Sequence, residues 1–72
     1  MYTKNEVVTF RLDDSETPGF AKVELLQPTT KVILGYRLWK IKVVDVTRQS
    51  TLLKAKAGQV KTVSERWFSR ES

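Results

Sequence analysis

Cysteine and histidine are both missing from this chain of 72 residues. Without cysteine there is no disulfide, thiol nucleophile or thiolate-held zinc, so stability has to come from packing alone. Without histidine the usual neutral-pH proton carrier and the commonest metal ligand are gone as well, which points away from an enzyme and from any cofactor or metal site. No apolar run approaches the roughly 18 to 20 residues that span a bilayer, and Met1-Tyr2-Thr3-Lys4-Asn5-Glu6 has no signal-peptide hydrophobic region. A cytoplasmic setting without membrane contact is expected. The three glycines, Gly19, Gly35 and Gly58, are too dispersed for a phosphate-cradling loop. Asp13, Asp14 and Glu16 crowd one stretch but lack the glycine spacing of a calcium loop, so a solvated loop is expected there.

What remains is a chain with 40% hydrophobic and 29% charged residues, ordinary globular usage. Its length allows one small domain, residues 1 to 72 with an ordered core from about 6 to 68. A chain this short hides only about 60% of its unfolded surface, so a broad surface site is expected rather than a deep cavity. The net charge is +5, and it is unevenly placed. Residues 1 to 36 carry four bases against five acids, whereas residues 37 to 72 carry nine against three. Such asymmetry suggests an electropositive face for a polyanion, although a solvated face that keeps the protein soluble would look the same in the sequence.

Period-two alternation dominates. Val8, Phe10 and Leu12 recur at every second position over Glu6 to Leu12, as do Ala21, Val23 and Leu25 over Phe20 to Leu26. Both segments read as half-buried strands. Between them Asp13 to Gly19 gathers turn formers. Pro28 lacks an amide hydrogen and interrupts the second ladder, so Gln27 to Lys31 is expected as a loop before the apolar patch Val32 to Gly35. Tyr36 to Val46 is the longest strand, with Trp39, Ile41 and Val43 facing the core and Tyr36, Leu38, Lys40 and Lys42 facing out. Adjacent Val43 and Val44 followed by Val46 shift the inward phase, as a β-bulge does. Thr51 to Ala57 alternates once more, and Gly58 separates it from a last strand over Gln59 to Val63. An Ala/Lys helix over Leu52 to Val63 is the rival, weakened by Gly58 and by three β-branched residues. Ser64 is a competent helix cap and Glu65 suits a first turn, so Ser64 to Phe68 is expected as one helical or 3-10 turn whose Trp67-Phe68 pair plugs an apolar interior.

The opening strand ending in Leu12, the entry Gly19-Phe20-Ala21-Lys22-Val23, the long Tyr36 to Val46 strand and the ending Val60-Lys61-Thr62-Val63-Ser64-Glu65 into Trp67-Phe68 together resemble the SH3-like barrels of small nucleic-acid-associated domains. The resemblance is architectural and covers about Glu6 to Phe68. It implies an all-β, five-stranded SH3-like barrel with a short C-terminal helical or 3-10 turn. No run matches the aromatic peptide-binding signature of signalling SH3 domains, so binding of Pro-rich ligands is not implied. An OB-type barrel is the alternative, but it usually places a helix between its third and fourth strands, where this chain has only Thr47 to Ser50.

The candidate site is a basic β-surface made by Tyr36, Arg37, Lys40, Lys42, Lys54, Lys56 and Lys61. Lysine neutralises phosphate and a tyrosine ring can stack on an unpaired base, so the expected partner is DNA or RNA, held with little sequence preference. A hairpin around Gly58 would set Lys56 or Lys54 opposite Lys61, an unfavourable pair that a bound phosphate would reverse in sign. Lysines on an exposed edge strand also deter aggregation with no ligand at all. The competing expectation is a protein partner or homodimer, met by edge-strand pairing and by Leu26, Leu38 and Leu52 on otherwise polar faces.

Overall fold

The computed structural model describes residues 2 to 50 and 54 to 70. Five antiparallel strands, β1 (Val7–Arg11), β2 (Phe20–Ile33), β3 (Tyr36–Arg48), β4 (Val60–Ser64) and β5 (Phe68–Ser69), form one sheet in the order β4-β3-β2-β1-β5. A 3-10 turn at Glu65–Trp67 joins the last two, capped by the Ser64 hydroxyl, which accepts the Arg66 N–H at 3.2 Å. The all-β reading therefore holds, as does the turn before Phe68. The strands are those of an open order, with β4 at one edge and β5 at the other.

Period-two alternation works because successive side chains of a strand point to opposite faces. Val8, Phe10 and Leu12, then Ala21, Val23 and Leu25, then Trp39, Ile41 and Val43 are all buried and, with Ala55 and Phe68, make one cluster. A flat single layer would be thin along one axis and could not bury its own face. The chain measures 30 × 25 × 24 Å, so the sheet curls over that face. Bulges bring the bend about: the β2–β3 register shifts between Phe20 and Ala21 and between Lys22 and Val23, the second shift falling at Val44 as the valine phase requires. Gly19 sits where two backbone segments approach closely, since a Cβ there would lie 2.6 Å from the Ser50 nitrogen and 2.7 Å from the Arg48 oxygen.

Two segments differ from their sequence-based expectation. Gln27 to Lys31 is not a loop between strands: β2 continues through it, with Pro28 opposite Trp39. Proline is tolerated because the ladder is irregular on both sides of it and skips Thr29 to Lys31. The Thr29 hydroxyl replaces a ladder bond by donating to the Leu38 carbonyl at 2.8 Å. The other difference is the expected strand Thr51 to Ala57. Residues 51 to 53 lie outside the described residues, and 54 to 57 are not strand. The Gln49 side-chain amide takes over there, accepting the Ala55 N–H and donating to the Ala55 carbonyl, both at 3.0 Å. The fifth strand is instead Phe68–Ser69, which pairs with Thr9 and Phe10.

Candidate nucleic-acid interface

The hairpin expected around Gly58 is not formed. Gly58 does turn the chain, at φ +89°, but its N–H donates to the Val43 carbonyl and the Gln59 carbonyl accepts from Val43, which feeds β4 onto β3. Lys61 therefore stands opposite Ile41 rather than opposite Lys54 or Lys56, and the lysine-on-lysine repulsion does not arise. Of the seven candidate residues, Lys40 and Lys42 share the outward face of β3 with Tyr36. Lys61 lies half-buried on the side of Ile41, while Lys54 and Lys56 are exposed in the segment before β4. Arg37 lies on the side of Trp39, and its guanidinium donates to the Thr29 carbonyl at 2.6 Å.

The residues brought together thus belong to one hairpin. β2 and β3 are 14 and 13 residues long, yet they reach the core only through residues up to Leu25 and from Trp39 onward. Beyond that they continue as a two-stranded arm, whose base, at Lys40 and Lys42, is also paired with β4. From Leu25 to Val44 the chain has Lys31, Arg37, Lys40 and Lys42 and no carboxylate. The acids begin at its boundaries, Glu24 at the register position of Lys42 and Asp45 at that of Lys22. Lys40 has only neutral cross-strand neighbours, Gln27 and Thr62. On the inner face Glu65 reaches the arm, accepting the Arg37 backbone N–H at 3.0 Å and the Trp39 indole N–H at 3.3 Å. These groups border a cleft of about 410 Å³ with Tyr2, Pro28, Val32 and Gly35.

The arm ends in an apolar tip. Val32, Ile33 and Tyr36 are about half exposed, and Leu34 is 81% exposed. Ile33 pairs with Tyr36, so Leu34 and Gly35 form the two-residue turn, with φ +53° and +83°. Positive φ at both positions is the pattern of a type I′ turn, which favours Asn-Gly. A leucine in the left-handed region costs about 1 to 2 kcal/mol, and at this exposure it recovers almost nothing by packing. Sequence reading did not single out this residue, although Leu-Gly between two β runs, in place of Asn-Gly, was a visible signal.

Several other charged groups are engaged locally. The Asp13 carboxylate accepts from the Ser15 N–H and hydroxyl, and Asp14 lies 3.5 Å from Arg11. Glu6 and Arg70 pair beside Tyr2, whose ring lies under the Arg70 guanidinium. That hydrogen bond from Arg70, aided by the Thr3 N–H, holds the Glu6 carboxyl at about 2, below the usual carboxylate range. Among the described residues no helix is long and apolar enough to cross a membrane. The chain matches no protein-family model, no curated protein and no solved structure.

Proposed function

We propose that the protein is a non-catalytic nucleic-acid-binding module and that the β2–β3 arm is its binding element. The observation that carries this reading is the acid-free run from Leu25 to Val44, which holds four cations on an extended ribbon. Lys40 and Lys42, two residues apart on one strand face, are about 7 Å apart, and Tyr36 continues the row. Neutralising phosphates releases counterions, so affinity is electrostatic and nearly blind to sequence. In this reading the curled sheet is an SH3-like barrel that serves as the rigid base of the arm. Support for the barrel comes from the five antiparallel strands, the 3-10 turn between the last two, and the near-equal dimensions.

A salt titration of binding to a labelled oligonucleotide tests the reading. If the four arm cations each meet a phosphate, log affinity against log salt falls with a slope of about −3 to −4. Replacing Lys40 and Lys42 with Glu should remove binding at low salt without unfolding the sheet, because both side chains are exposed. Association of two copies that is indifferent to salt would instead favour docking through β4, which stands at the sheet edge.

A further inference from the structure

We infer that the arm tip is a wedge for double-stranded DNA: Leu34, backed by Ile33, inserts against a base step and kinks the duplex while Lys31, Arg37, Lys40 and Lys42 hold the flanking phosphates. The inference rests on the nucleic-acid reading above and adds to it the form of the partner and what happens to it.

Leu34 is the starting point. It carries two penalties in the free protein, a left-handed backbone and an 81% exposed apolar side chain, and makes no compensating core contact. A conformational outlier of this kind at an exposed tip points to a use outside the chain. The tip is also narrow. Its two turn residues are Leu34 and Gly35, so a single side chain projects at the apex beside a position that has none. Leucine and isoleucine are among the side chains that pry base steps apart in bent protein–DNA complexes, and a two-stranded ribbon is slim enough to enter a DNA groove.

The spacing of the cations separates DNA from other anionic partners. Along an extended strand Lys40 is about 13 Å and Lys42 about 20 Å from Tyr36. A flat anionic membrane met tip-first would leave both beyond the Debye length of about 8 Å at physiological salt. A duplex kinked around the arm carries phosphates along that length. Pairing of two arms would set four cations against four, more than Glu24 opposite Lys42 and Glu65 beside Arg37 can offset.

Leu34→Asn separates wedge from fold, because asparagine suits the turn better than leucine. The experiment measures, on a duplex of about 30 base pairs labelled at both ends, binding affinity and end-to-end distance by energy transfer. Wild type should bind, with a salt slope, and shorten the end-to-end distance by a kink of about 20 to 90°. Leu34→Asn should melt at a higher temperature, keep the salt slope, lose the shortening and bind about tenfold more weakly. If Leu34→Asn bends and binds the duplex as wild type does, or wild type binds without bending, the wedge is overturned while the binding reading stands. If wild type binds no duplex and no single strand at low salt, the binding reading itself falls. Leu34-dependent binding to vesicles of mixed neutral and anionic lipid, with none to DNA, overturns the wedge in favour of a membrane contact.

Discussion

The same two strands, β2 and β3, pass through two opposite environments. Near Val23 and Ile41 one face of each strand is fully buried and every side chain on it is apolar, whereas from Val32 to Tyr36 they are exposed on both faces and still apolar. In the first region hydrophobic residues are explained by the core they fill. In the second they are about half exposed or more, on a segment with no acid between Leu25 and Val44.

Substitutions in the two regions should therefore behave differently. Trp39→Ala should have the largest effect, a loss of about 3 to 5 kcal/mol in chemical denaturation, since Trp39 is buried and its indole also anchors Glu65. Tyr36→Ala, three residues away but exposed, should stay within about 0.5 kcal/mol of wild type. Equal losses at the two positions would break the comparison. Gly19→Ala comes next, at about 1 to 3 kcal/mol, because the new methyl group would collide with the Ser50 and Arg48 backbone as well as with the Leu12 side chain. At the tip the sign reverses, and Leu34→Asn should gain up to about 1 kcal/mol by relieving the left-handed leucine. A loss of stability there would mean that Leu34 does serve the fold.

The smallest effect concerns pH, at the far end from the arm. The Glu6 carboxyl has a folded value of about 2, depressed from 4.5, chiefly by Arg70. A depressed carboxylate stabilises the fold above its unfolded value and loses that contribution as pH falls toward its folded value. The stability difference between wild type and Arg70→Ala should thus be constant at neutral pH, shrink between about pH 4.5 and 2, and be modest throughout because Arg70 is exposed. DNA binding should be unaffected by the Arg70 change.

Alternation alone located β1, the first half of β2 and most of β3, together with every buried residue they contribute, since burial on one face leaves a period of two. The valine phase slip likewise marked the bulge at Val44. Local pattern misled where distant groups decide the structure. Leu52-Leu53-Lys54-Ala55-Lys56 alternates like a strand, but the Gln49 amide, not a neighbouring strand, satisfies Ala55. Pro28 reads as a strand breaker, yet a hydroxyl one residue on repairs the ladder. The lysines were legible as a basic surplus in the second half of the chain, whereas their grouping was not. Strand order puts Lys61 on the core side of β4 and leaves Lys40 and Lys42 with the arm.

A charge-matched exchange tests the account most directly. Lys31, Lys40 and Lys42 are changed to Gln in one variant and Lys4, Lys22 and Lys54 in another, so both carry the same net charge and only its position differs. Binding to duplex DNA is then followed across a salt series. The account predicts that the arm variant loses affinity on the order of a hundredfold at low salt and about three units of salt slope, while the second variant keeps the wild-type slope. Equal losses in the two variants would show that net charge, not the arm, attracts the polyanion.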